Sequence, residues 1–192
     1  MAPYEKRREF EDEALVHLDA LYRVAMRLAQ NRHEAEDLVQ ETCLKAYQYF
    51  HQFERGTNCR AWLLTILRND FLNRVKKQGR ELLDTSALGM TEPLPGKREE
   101  AEYSALMNHP EQELFQRLMD REVEQALDSL PTVFREVVVL VDLEECSYKE
   151  TAQICGLPIG TVMSRLSRGR QLLKRMLLGY AQARGIARSE RE

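Results

Sequence analysis

The amino-acid sequence predicts an all-α protein, with two small helical domains joined by an irregular linker. Of its 192 residues, 43% are hydrophobic and 31% charged, and it has only nine glycines and six prolines, which is typical of a helical protein rather than a disordered or all-β chain. Apolar residues recur at helical spacing on both sides of a segment that contains glycine and proline. We therefore expect domains at residues 10–80 and 111–180, and a linker at 81–110.

The first domain is predicted to contain three helices. Two amphipathic helices are indicated by apolar spacing, and Asn31 lies between them at a position typical of an N-cap. A third helix is predicted from Ala61 to Lys77, after a polar loop at Glu54–Arg60. The expected inward positions are Leu15, Leu18, Leu21, Tyr22, Ala25 and Leu28 in the first helix and Ala35, Leu38, Val39, Thr42, Ala46 and Phe50 in the second.

A helix-turn-helix is predicted near the end of the second domain. Ser147 and Glu150 form the pattern of a capping box, which starts a short helix, and Gly156 is placed to end it. Pro158 suits the first turn of the next helix, where its missing N–H costs nothing. The inward positions expected are Tyr148, Thr151, Ala152 and Cys155 in the short helix and Val162, Leu166, Gly169, Leu173 and Met176 in the long one.

Opposite its apolar stripe, the long helix carries a small, polar and basic face. Short side chains let a helix enter the major groove, arginines pair with guanine edges or phosphates, and hydroxyl groups bond to either. We predict that this face contacts duplex DNA, the alternative being an ordinary solvated basic face. The predicted contact residues are Thr161, Ser164, Arg165, Ser167, Arg168 and Arg170.

Charge is segregated along the chain, although its net value is only −3. The segment Arg55–Arg80 holds seven basic residues and one acid, and Ile159–Leu178 holds five basic residues and no acid. Between them, Glu111–Glu150 holds eleven acids and four basic residues. Two separate basic segments predict two contacts with a polyanion such as DNA.

Other classes of function find little support in the sequence. The four cysteines form no C-x-x-C pair, and the four histidines are scattered, so we expect no metal site, no cofactor and no enzymatic activity. A charged N-terminus and the lack of a long apolar run predict a cytoplasmic protein without membrane insertion.

Two groups of residues resemble motifs of the extracytoplasmic-function (ECF) sigma factors of bacterial RNA polymerase. Leu130-Pro131, Phe134–Val138, Ser147–Glu150 and Gly160–Val162 resemble the C-terminal domain of that family, which reads the −35 promoter element. Ala35–Thr42 resembles the polymerase-binding helix of the N-terminal domain, and Trp62-Leu63 with Asn69 resembles its −10 helix. The resemblance implies a transcription initiation factor that binds core RNA polymerase, reads both promoter elements and assists promoter melting.

The resemblance also implies partners and contact residues. An acidic and amide surface would bind polymerase, a second polar surface would read the −10 element, and an anti-sigma factor is a further expected partner. Trp62 is interpreted as core rather than as a stacking platform, and Phe50–Asn58 resembles the thiol-stress branch of the family. The polymerase-binding set is Glu36, Asp37, Gln40 and Glu41, and the −10 set is Asn58, Arg60, Asn69, Asn73 and Lys76.

A rival hypothesis is a helix-turn-helix regulator that binds DNA as a dimer without polymerase. It accounts for the C-terminal domain, but it leaves the Glu36–Glu41 surface and the first basic segment without a role.

Overall fold

A computed structural model describes residues 3–77 and 121–183, in which all regular secondary structure is helical. The predicted linker at 81–110 lies outside the described residues. In chain order the helices are α1 (Pro3–Ala14), α2 (Leu18–Ala29), α3 (Arg32–Tyr49), α4 (Cys59–Lys77), α5 (Arg121–Asp128), α6 (Thr132–Val138), α7 (Tyr148–Cys155) and α8 (Ile159–Ala183).

The described residues divide into two compact units. One lies within Met1–Leu82 and Cys146–Val162, and the other lies within Leu83–Glu145 and Met163–Glu192. In the first unit α2, α3 and α4 pack against one another, and α7 packs against α4. None of the helices in the described part of the chain is both long and apolar enough to span a membrane.

The start of α3 follows the predicted capping pattern. Gln30 adopts a left-handed conformation with a φ of 56° and ends α2. The side chain of Asn31 then accepts hydrogen bonds from the backbone N–H groups of His33 and Glu34, at 2.9 and 3.2 Å. This cap lets α3 turn back against α2 with Ala35, Leu38 and Thr42 buried, as predicted.

The predicted inward face of the first amphipathic helix is wrong at its beginning. Leu15 and Leu18 are 42% and 41% exposed, whereas Leu21, Ala25 and Leu28 are buried. The reason is a 3-10 turn at Leu15–His17, which separates α1 from α2 and changes the phase of the apolar repeat. The face that packs on the core therefore begins at Ala20.

The second unit is built around α6 and most of α8. Pro131 separates α5 from α6, and a π-helical turn at Val139–Leu143 continues α6. Leu166, Gly169 and Leu173 of α8 are buried, as predicted. Met176 is 44% exposed, so that prediction is wrong; Leu173 is the last buried residue among the described side chains of α8, and the helix continues beyond its packed part.

The predicted helix-turn-helix signals all have their expected local geometry. The Ser147 hydroxyl oxygen accepts from the Glu150 N–H at 3.2 Å, and the Glu150 carboxylate accepts from the Ser147 N–H at 2.8 Å. Gly156 ends α7 with a φ of 63°. The carbonyl oxygen of Pro158 accepts from the N–H of Thr161 at 2.9 Å, which closes the first turn of α8.

Candidate nucleic-acid interface

The outer side of α3 presents an acid and an amide to solvent. Asp37 and Gln40 are exposed, and no hydrogen bond or ion pair of either side chain is found among the described residues. Glu36 accepts from Arg32 Nε at 2.8 Å, and this hydrogen bond holds the pKa of the Glu36 carboxyl below its usual value. Three of the four residues predicted to bind polymerase thus lie at or near the surface of one helix.

The fourth residue of that set, Glu41, faces α4. Its carboxylate oxygens lie 2.7 Å from Arg74 Nη2 and 2.9 Å from Lys45 Nζ. The hydrogen bond from Arg74, followed by that from Lys45, lowers the pKa of Glu41. Lys45 Nζ also lies 2.6 Å from Oδ1 of Asp70, a buried carboxylate of α4. Glu41 therefore belongs to an ion network that joins two helices, although its side chain is 43% exposed, compared with 37% for Glu36.

Helix α4 has an exposed polar side and a buried apolar side. Asn69, Asn73 and Lys76 are exposed and follow each other at helical spacing. The buried residues on the opposite side are Leu63, Leu67, Phe71 and Val75, whereas Ile66 is half-buried. The exposed side places two amides and one ammonium group in a row, which suits hydrogen bonds to bases and a contact to phosphate.

The loop before α4 is tied to α7. Asn58 caps α4 by accepting from the Ala61 N–H at 3.0 Å, and its side-chain amide donates to the Glu150 carboxylate. Arg60 donates to Cys146 Sγ at 3.5 Å. The cap was missed in the sequence, although asparagine directly before an apolar helix is a known N-cap signal.

Trp62 takes part in an aromatic cluster. Its ring centroid lies 5.2 Å from that of Phe53 and 6.4 Å from that of Phe50, and both phenylalanines are buried. Trp62 itself is half-buried. These contacts support the interpretation of Trp62 as a core residue.

The cysteine nearest to the polar loop is Cys59, the first residue of α4. Burial raises the pKa of its thiol to about 11, and the charge of Glu13 adds to the effect. The thiolate, which is the reactive form, is therefore scarce at neutral pH. The resemblance to the thiol-stress branch stays a prediction.

The predicted DNA-reading residues of α8 fall into two groups. Thr161, Ser164, Ser167 and Arg168 are half-buried. Arg165 Nη1 lies 3.2 Å from Oε1 of Glu136, and Arg170 donates to both oxygens of Asp142, at 2.5 and 3.1 Å. Glu136 and Asp142 are buried, and sequence reasoning missed both, although acids within the apolar run Phe134–Leu143 were a signal that they need partners.

Comparison with known proteins identifies the family of both parts of the chain. Residues 15–81 match the family described as Sigma-70 region 2, and residues 120–173 match Sigma-70 region 4. The chain is 38% identical over 165 residues to the ECF sigma factor SigE of Mycolicibacterium smegmatis, a match that covers 86% of this chain and 60% of that protein. It is 35% identical to the ECF sigma factor EcfG of Rhodopseudomonas palustris, over 86% of this chain and 83% of that protein.

Among solved structures, a similar one is the sigma factor RpoE in complex with the anti-sigma factor NepR, from Bartonella quintana. The two chains are 36% identical with a TM-score of 0.67, and the match covers 89% of this chain and 98% of RpoE. Both sigma regions and relatives of this similarity place the protein in one family. The chain belongs to the ECF sigma factors, the proteins that direct RNA polymerase to initiate transcription at specific promoters.

Proposed function

We propose that α3 binds core RNA polymerase, that α4 reads the −10 element as an unpaired strand, and that α8 reads the −35 element as a duplex. The observation that carries this division is the exposure of two different polar faces on two packed helices of one unit. Asp37 and Gln40 offer an acid and an amide on α3, whereas Asn69 and Asn73 offer two amides on α4. An acidic face suits a basic protein partner, and an amide face suits base edges.

The polymerase contact consists of Asp37 and Gln40, with Glu36 and Glu41 at its edges. Because these side chains lie on the outside of α3, they reach a partner helix without rearranging the core. The family resemblance implies that this partner is the coiled-coil clamp of the largest polymerase subunit.

The −10 contact consists of Asn69, Asn73 and Lys76, with Asn58 and Arg60 at the start of the same helix. Amide groups can hydrogen-bond to the edges of unstacked bases, and Lys76 can neutralise a phosphate. The −35 contact consists of Arg168 with the hydroxyl groups of Thr161, Ser164 and Ser167. Arg165 and Arg170 lie beside this set, each held by a buried carboxylate.

We propose further that the functional domains are 10–80 and 111–180, with 81–110 as a linker. The match to Sigma-70 region 4 at residues 120–173 supports the second domain, although Cys146–Val162 packs in the first unit of this structure. We also propose that the protein acts in the cytoplasm, without catalysing a reaction or holding a cofactor. A partner of the anti-sigma class is proposed because the related RpoE was solved with NepR. A dimeric regulator that never joins polymerase is disfavoured, because that hypothesis does not explain the match of residues 15–81 to Sigma-70 region 2.

The test is transcription with purified bacterial core polymerase. Changing Asp37→Arg together with Gln40→Ala should abolish polymerase binding and transcription while leaving helix content intact, because each exposed change costs stability of only about 0.5 kcal/mol or less. The matched control is Asp12→Arg, the same charge change at an exposed position of α1. Transcription that survives the double change would show that this face of α3 is not the polymerase contact.

A further inference from the structure

We infer that Glu41 is a positioning residue that, together with Arg74, Lys45 and Asp70, sets the orientation of the −10 helix. The inference rests on the proposed function, because it needs α3 and α4 to have separate partners. It adds a second role to the one that the family resemblance implied for Glu41.

The four side chains form a ladder between two helices. Glu41 and Lys45 lie one turn apart on α3, and Asp70 and Arg74 lie one turn apart on α4. Glu41 bridges Lys45 and Arg74, and Lys45 bridges Glu41 and Asp70. The guanidinium of Arg74 also donates to the backbone carbonyl of Glu34, at 3.3 Å. Arg74 therefore reaches along about two turns of α3, which resists sliding of one helix past the other.

Asp70 is the buried member of this ladder, and a buried carboxylate needs a partner for its charge. The Asp70 side chain is 7% exposed, and its second oxygen, Oδ2, has no hydrogen-bond partner in the described structure. Lys45 is thus the partner that compensates this buried charge, and the hydrogen bond to Asp70 is the main reason that the pKa of Lys45 is raised. A buried carboxylate whose partner is removed is strongly destabilised, so Lys45 is held in one place. Glu41 is then held between two cations of fixed position.

The sequence of α4 connects this ladder to the −10 contact. Asp70 follows Asn69 directly, and Arg74 follows Asn73 directly. Successive residues of a helix point about 100° apart. Pinning Asp70 and Arg74 against α3 therefore fixes the rotation of α4 about its axis, and with it the directions in which Asn69 and Asn73 leave the surface. If the ladder loosens, the two amides lose their orientation although they are not themselves changed.

The decisive experiment compares Glu41→Gln with Asp37→Asn, because both changes remove one carboxylate charge from α3 and keep the side-chain size. For each full-length variant, the affinity for core polymerase and the transcript yield at saturating sigma factor are measured, on a linear promoter and on one pre-melted at −10. Asp37→Asn should weaken polymerase binding by about tenfold, which is about 1.4 kcal/mol, with yield recovered at saturation. Whatever its effect on polymerase affinity, Glu41→Gln should lower the yield on the linear promoter by about tenfold, and saturating sigma factor should not recover that loss.

A second variant separates positioning from loss of fold. Arg74→Lys keeps the charge but cannot bond to Glu41 and to the Glu34 carbonyl with one rigid fork. It should keep the helix content and the polymerase affinity of the unchanged protein and still reproduce the low yield of Glu41→Gln. The double variant Glu41→Gln/Arg74→Lys should have a saturated yield no lower than that of either single variant, because both changes remove the same connection.

The outcomes distinguish the two proposals. If saturating sigma factor recovers the full yield of Glu41→Gln, as it does for Asp37→Asn, Glu41 acts only at the polymerase contact and the inference is wrong. The inference is equally wrong if Glu41→Gln and Arg74→Lys leave the saturated yield unchanged. If instead Asp37→Asn does not affect polymerase binding, the proposed role of α3 fails, whatever Glu41 does.

Discussion

At the scale of single residues, Arg165 and Arg170 neutralise carboxylates that the fold buries. Glu136 and Asp142 have side chains only 4% and 5% exposed, and each is paired with one of these arginines. A buried carboxylate without a partner costs far more than the pair contributes in its presence. The two arginines are therefore needed by the fold of the second unit, whether or not DNA is bound.

We predict that Arg165→Ala and Arg170→Ala each destabilise the protein by about 3 kcal/mol, the low end of the range for broken buried pairs, because both arginines are partly exposed. Lys174→Ala is the control, since it removes one positive charge from an exposed position of α8 and should cost about 0.5 kcal/mol or less. Urea unfolding followed by circular dichroism measures all three. Glu136→Gln should restore part of the stability lost in Arg165→Ala. An equal loss of stability in Arg165→Ala, Arg170→Ala and Lys174→Ala would contradict the role of the two arginines as partners of buried carboxylates.

The residues that sequence reasoning identified correctly were those whose signal is local. Asn31, Ser147 and Gly156 act on backbone groups within a few positions of themselves, so their effect is contained in the sequence around them. The partners of Arg165 and Arg170 are 29 and 28 positions away. No pattern of spacing gives such a pairing, and both arginines were assigned to DNA from their charge and their position on the helix.

At the scale of helices, apolar periodicity predicted the existence of α3, α4 and α8, and most of the inner faces of α3 and α8. It did not reveal where one helix passes into another without a proline or a glycine. The 3-10 turn at Leu15–His17 contains only ordinary helix-compatible residues, and the exposure of Leu15 and Leu18 follows from it. The end of packing along α8 was missed for a related reason, since Met176 continues a regular repeat after its partners have ended.

Close packing of α8 on α6 depends on Gly169. A Cβ atom at this position would lie 2.7 Å from Cγ2 of Val138, a fully buried side chain, and 3.5 Å from Cβ of Phe134. We predict that Gly169→Ala costs about 1–3 kcal/mol, as for other overpacked cores. Gly160→Ala is the control on the same helix, because nothing lies within 4 Å of its added methyl group. That change should be neutral or stabilise by up to about 1 kcal/mol, through the higher helix propensity of alanine. If thermal unfolding finds Gly160→Ala less stable than Gly169→Ala, α6 and α8 can move apart at Gly169 at little cost.

At the scale of the whole molecule, two promoter-reading surfaces are proposed on one chain, and each is small. Asn58 and Arg60, at the start of the −10 helix, already have partners in Glu150 and Cys146 of the same chain. DNA must replace these contacts before it can use both residues. We therefore expect the isolated protein to bind promoter DNA weakly, and polymerase to supply the high effective concentration that specific binding needs.

The final prediction is that the two surfaces fail in different ways. Arg168→Ala removes a proposed base-edge contact worth about 1–3 kcal/mol of discrimination, so holoenzyme carrying it should tolerate altered −35 sequences. Asn69→Ala removes an exposed amide of α4 and should leave −35 preference unchanged while lowering capture of the unpaired −10 strand. Lys174→Ala serves again as the control for the loss of one exposed charge.

The measurement is transcript yield on promoters with randomised −35 sequences, on linear templates and on templates pre-melted at −10, with permanganate reactivity of thymines as the probe of melting. For Asn69→Ala, permanganate reactivity should fall on the linear template. Pre-melting removes the cost of unpairing, so it should recover most of the yield if Asn69 assists melting, and little if Asn69 holds a base after melting. Arg168→Ala should respond to the −35 sequence and show no special benefit from pre-melting. A broadened −35 preference in Asn69→Ala, or rescue of Arg168→Ala by the bubble, would mean that promoter reading is not divided between α4 and α8.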